Sequence, residues 1–109
     1  MKANASDYYK WGEESSIVSG TCYADLYGIY GEESLFTEIV VTNKKIILKN
    51  QKGVRIIYLS SVTHIDLYES GDISIKYCGG KYLHIELRNN ASWADMLFEA
   101  INDAVSKLK

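Results

Sequence analysis

The chain has 109 residues, 47% hydrophobic and 24% charged, with a formal net charge of −2. That length suits one domain rather than two, and the balance excludes the low hydrophobicity and high net charge of a disordered chain. No run of about eighteen apolar residues occurs, and the first sixteen residues carry Asp7, Lys10, Glu13 and Glu14 where a signal peptide needs an apolar stretch, so a soluble, cytoplasmic protein is expected.

Residues 1–16 have no period but hold Tyr8, Tyr9 and Trp11, rings that each bury about 150–250 Å² when docked. The segment is expected to dock on a domain formed by residues 17–109. From Ile17 the pattern has period two. Val18, Gly20, Cys22, Ala24 and Leu26 share one face and Ser19, Thr21, Tyr23, Asp25 and Tyr27 the other, as in a half-buried strand. Residues 28–34 (GIYGEES) read as a connection containing Tyr30, and 35–41 (LFTEIVV) as a second strand. A turn at Thr42-Asn43-Lys44 leads into 45–48, and Asn50-Gln51-Lys52-Gly53 reads as a hairpin loop before 54–59.

The fifth strand is predicted over 62–68, with Ile65 and Leu67 inward and His64 and Asp66 outward. Strand six covers 73–77. Gly79-Gly80 suits a two-residue turn with positive φ at both positions. Strand seven, 82–87, puts Leu83, Ile85 and Leu87 inward and Tyr82, His84 and Glu86 outward. The tail from 90 to 109 is helix-forming, with Ser92 and Asp95 as a capping-box-like start. Its apolar face is Trp93, Met96, Leu97, Ala100, Ile101, Ala104, Val105 and Leu108, opposite Asp95, Glu99, Asp103 and Lys107.

Seven short strands and one amphipathic helix imply a mainly β fold: a seven-stranded bent antiparallel sandwich or partly open barrel, capped by the C-terminal helix. The order Val41-Thr42-Asn43-Lys44-Lys45-Ile46-Ile47, a hairpin, Tyr58-Leu59-Ser60-Ser61-Val62-Thr63 and a final helix resembles the pleckstrin-homology-like superfold, and within it the small bacterial and GRAM-related members. The resemblance covers residues 17–108. It implies a non-enzymatic binding module, for lipid head groups in some members and for proteins in many others.

Charge is uneven. Lys44, Lys45, Lys49, Lys52 and Arg55 form a basic block with no intervening acid, whereas residues 1–43 hold two basic and seven acidic side chains. Lys45, Lys49, Lys52 and Arg55 are therefore candidates for contact with an anionic membrane surface. In lipid-binding members of the superfold the basic signature lies mainly between the first two strands. Here that loop carries Glu32 and Glu33, which would repel a phosphoinositide. No stacking motif accompanies the lysines, so nucleic acid is not expected.

Cys22, Cys78, His64 and His84 lack the local ligand pairs of a structural zinc site, and no nucleophile, base and oxyanion donors converge. Free thiols, no metal, no cofactor and no catalytic residue are the expectation. Nine tyrosines remain, and Tyr23, Tyr27, Tyr30 and Tyr82 fall on outward or loop positions. Exposed aromatics are enriched at protein interfaces, which makes these four the candidates for binding a protein partner or a second copy of the chain.

Overall fold

β-Branched and aromatic residues dominate the strands because branched side chains pack well on a pleated surface. The computed structural model describes residues 14–26, 34–88 and 90–108, so the expected contacts Tyr27 and Tyr30 lie outside the described residues, as do segment 1–13 and most of loop 28–34. The strands are β1 (Ser16–Ala24), β2 (Leu35–Thr42), β3 (Lys45–Asn50), β4 (Gly53–Tyr58), β5 (Val62–Leu67), β6 (Ile73–Tyr77) and β7 (Lys81–Glu86). A 3₁₀ turn, Leu59–Ser61, joins β4 to β5, and helix α1 (Ala91–Lys107) follows β7.

The sheet runs β4-β3-β2-β1-β7-β6-β5, antiparallel throughout. It consists of two meanders joined where β1 meets β7 at Tyr23↔Glu86 and Ala24↔Ile85. Closure is therefore partial, and β4 and β5 are the sheet's two edges. This is the expected open sandwich. Its inner faces carry Cys22, Ala24, Ile39, Val41, Ile46, Leu48 and Ile57 from one meander and Ile73, Ile75, Leu83 and Ile85 from the other, all buried. Ala94, Leu97, Ile101 and Ala104 of α1 fill the open end.

The first turn of the helix sets Trp93 against a glycine of β1. A Cβ on Gly20 would come 2.5 Å from the Trp93 ring, and the indole Nε1 donates to the Thr21 carbonyl at 2.6 Å. That bond satisfies a backbone acceptor on the part of β1 that β7 does not reach.

Four local expectations shift. The helix N-cap is Asn90, whose side chain accepts from the Trp93 backbone N–H at 3.1 Å, rather than Ser92, which already lies inside the helix. The buried stripe at 94, 97, 101 and 104 leaves Met96 and Leu108 about half exposed, because each sits roughly 100° around the axis from its neighbour at the stripe's centre or beyond the last packed turn. The β6–β7 turn is displaced by one residue: Cys78 (φ 50°) and Gly79 (φ 79°) take the positive-φ positions, and Gly80 N–H closes on the Tyr77 carbonyl at 3.3 Å. Asp25, outward by alternation, is buried because β1 ends at Ala24.

Candidate protein-interaction face

The register assigns the outward residues of the first meander to rows. One row is Ser19, Val40, Ile47 and Ile56, and the next is Thr21, Glu38, Lys49 and Val54. Lys45 lies opposite Tyr58 at one end, and Tyr23 opposite Phe36 at the other. Phe36, Val54, Ile56 and Tyr58 are 59%, 50%, 44% and 57% exposed, while Val40 and Ile47 between them are half-buried. The result is an apolar outer face broken by Glu38, Lys45 and Lys49.

Three of these exposed residues stand on edge strand β4. Solvent-facing positions of edge strands ordinarily carry lysine, proline or bulges, because a flat apolar edge invites association. The runs FTEIVV, KIIL and VRIIY place apolar residues on both faces of their strands, and that departure from alternation is the signal that marks Phe36, Val40, Ile47, Val54, Ile56 and Tyr58 in the sequence. None of the six is among the tyrosine candidates Tyr23, Tyr27, Tyr30 and Tyr82.

Among the candidate contacts, Tyr23 is half-buried on β1, edge-on to Phe36 at 5.6 Å between centroids, with the Arg88 guanidinium 3.7 Å above its ring. Tyr82 is exposed on β7, with Lys76 Nζ 5.8 Å from its centroid. Glu86 is the residue opposite Tyr23, and Tyr82 lies four positions earlier, about 13 Å along the strand. The two tyrosines do not form one patch.

The basic block also divides. Arg55 faces inward opposite Leu48, where its guanidinium donates to the Leu26 carbonyl and to the Tyr77 hydroxyl. Lys45 sits 3.3 Å from the buried Glu14 carboxylate, which also accepts from Thr42 Oγ1 at 2.6 Å. Lys49 and Lys52 are exposed toward the β3–β4 hairpin.

Cys22 is buried and its thiol is pushed up to about 12 by desolvation, which keeps it protonated and inert, while Cys78 is exposed in the turn. His64 pairs with Asp66 at 3.1 Å and His84 with Asp72 at 3.2 Å. Among the described residues, no three His, Cys, Asp or Glu side chains come together in a metal-holding arrangement. A groove of about 630 Å³ runs between the start of β1 and the C-terminal half of α1, lined by Ile17, Val18, Met96 and Ala100 with Glu99 and Asp103 beside them.

Comparison with solved structures decides the fold. The chain superimposes on the linker-DH/PH domains of p115-RhoGEF with a TM-score of 0.70 at 7% identity, covering 89% of this chain and 30% of that one. It matches the DH/PH fragment of PDZ-RhoGEF, solved in complex with human RhoA, with a TM-score of 0.67 at 12% identity, covering 96% and 34%. The N-terminal PH domain of human ARAP2 gives a TM-score of 0.66 at 10% identity, covering 84% and 81%. The fold is pleckstrin-homology-like. The chain spans about a third of the RhoGEF chains and most of the ARAP2 domain, so what is shared is this one fold unit. No protein-family model matches the chain, and no curated protein does.

Proposed function

We propose that this pleckstrin-homology-like chain is a non-enzymatic interaction module that binds protein, a second copy of itself included, through the outer face of β2, β3 and β4. The observation that carries the reading is the exposed apolar row on edge strand β4, Val54, Ile56 and Tyr58, continued by Ile47, Val40 and Phe36. Contiguous exposed apolar surface of this kind marks association sites, and aromatic residues at its two ends suit it to a protein partner. The fold supports the reading in general terms, since such modules commonly bind proteins or lipids, and the PDZ-RhoGEF fragment was solved with RhoA bound.

Tyr23 belongs to this surface through its packing on Phe36. Tyr82, on the other meander, serves as the comparison site. The anionic-membrane alternative has weaker support, because Lys45 and Arg55 are held by partners within the molecule.

Light scattering over a wide concentration range tests the self-binding form. A mass that climbs above 12.3 kDa as concentration rises is the expected result. A constant 12.3 kDa would remove self-association from the reading.

A further inference from the structure

The two edges of the sheet, β4 and β5, are finished differently. β5 has a register shift between Val62 and His64, carries the His64–Asp66 pair, and lies beside Asn102, Val105 and Ser106 of α1. Each of these features blunts an edge. β4 pairs with β3 in unbroken register from Gly53 to Tyr58, and among the described residues no strand pairs with its other side. Leu59 N–H donates to the Lys44 carbonyl at 2.9 Å, so the hydrogen-bonded pairs of this hairpin alternate as Ile46–Ile57, Leu48–Arg55 and Asn50–Gly53. The amides and carbonyls of Val54, Ile56 and Tyr58 therefore point off the sheet, and their side chains are the exposed apolar row.

We infer that β4 is the template for β4 of a second copy, the two strands running antiparallel about a two-fold axis at Ile56. A two-fold contact must be self-complementary, and this row is. With Ile56 opposite itself, Val54 meets the second copy's Tyr58 and Tyr58 meets its Val54, so every outward amide faces an outward carbonyl and each pair exchanges both hydrogen bonds. The Tyr58 carbonyl already accepts from Ser61 Oγ at 2.7 Å and keeps a second lone pair for the new donor. On the outer face the same register sets aromatic against β-branched side chains, a favourable cross-strand combination. The two neighbouring registers are worse. One places Arg55 directly opposite Arg55, like charges that repel, and the other sets Val54 against Ser60 of the 3₁₀ turn.

Charge does not oppose the arrangement. Lys49 and the second copy's Lys45 flank the Val54–Tyr58 pair on their own β3 strands, about 14 Å apart, beyond the Debye length of about 8 Å. Lys45 is in addition held by Glu14 at 3.3 Å. The three pairs supply about six backbone bonds, within the roughly five to fifteen of a specific interface, whereas contact along one short strand stays below about 1,200 Å², the floor of standard interfaces. A weak dimer that dissociates on dilution is the consequence. The inference rests on the proposed contact face and deepens it: the occupant is a second copy, and backbone pairing along the β4 edge holds it.

Amide hydrogen exchange on the ¹⁵N-labelled full chain, read by NMR at rising concentration, tests it. Arg55 and Ile57, bonded to β3, are expected to exchange slowly throughout. Val54, Ile56 and Tyr58 are expected to exchange fast when dilute and about tenfold more slowly once about nine-tenths of the chains are paired, since only the free copy exposes those amides to water. Association with these three amides still fast would overturn edge pairing and leave the outer face as the contact. A chain that stays at 12.3 kDa with no slowing would also overturn it, while the face would remain open to a different protein. Slow exchange already in the dilute monomer would sink it too, because the edge would then be covered within one chain. Ile56→Pro removes the central outward N–H, keeps an apolar ring in the row and leaves the β3 ladder intact. It is expected to stay monomeric, and association equal to the wild type's would refute the inference.

Discussion

The two meanders are built alike inside and differ outside. Both bury Ile, Leu and Val on the inner face, but the outer face of β5, β6 and β7 displays His64, Asp66, Ser74, Lys76, Tyr82 and His84, whereas that of β2, β3 and β4 displays Phe36, Val40, Ile47, Val54, Ile56 and Tyr58. On the first of these the polar groups satisfy one another: His64 with Asp66, His84 with Asp72 and Lys76 with the Tyr82 ring. The contrast teaches that apolar residues on the second face are not required to hold a sheet of this size together. A solvent-facing meander with polar residues stands in the same molecule.

If that is correct, stability and association separate by face. Leu48→Ala, on the inner side of β3, should cost about 2–5 kcal/mol in urea unfolding, since it removes a fully buried side chain and leaves a cavity. Ile56→Ala, on the outer side of neighbouring β4, should stay within about 0.5 kcal/mol, the ordinary range for surface changes. Equal losses would mean that the outer row is covered in the folded chain by something that contributes strongly to folding.

Thiol chemistry sharpens the same inner-outer distinction. Cys22 is lifted from 9.0 to about 12, so at a given neutral pH its thiolate fraction is about a thousandfold below an unperturbed thiol's. Alkylation should label Cys78 rapidly and reach Cys22 only on unfolding. Because the folded value is the higher one, the stability tied to the neutral thiol is complete below about 9 and is lost as pH rises toward 12. Rapid labelling of both cysteines in the folded protein would contradict the packing of β1.

A smaller effect divides the basic block. Arg55→Met should cost about 1–3 kcal/mol, because the Leu26 carbonyl and Tyr77 hydroxyl lose a donor, while Lys49→Met should change stability by less than about 0.5 kcal/mol. Matching values would show that Arg55 behaves as another surface cation.

Much of this architecture was legible in the sequence. Alternation and β-branched composition located all seven strands, six of them to within two residues at each end and β1 with an end three residues too late, and the 3.6-residue stripe located the helix. Alternation does not supply sidedness where both faces are apolar, as in 35–41 and 54–58. Arg55 was read as part of a basic surface because charge is expected outside. Its inward position follows from register, Leu48↔Arg55, and from a carbonyl and a phenol brought near by other strands, which no local pattern encodes. The one-residue shift of the β6–β7 turn has a similar origin, since pairing of Tyr77 with Lys81 fixes which two residues must take positive φ.

On the proposed reading, the outer face of β2, β3 and β4 is the contact surface and that of β5, β6 and β7 is not. Sedimentation equilibrium on the wild type, Ile56→Lys and Tyr82→Lys, over the same concentrations, tests it most directly. The wild type and Tyr82→Lys are expected to associate alike while Ile56→Lys remains at 12.3 kDa. Ile56→Lys matching the wild type at every concentration would contradict it.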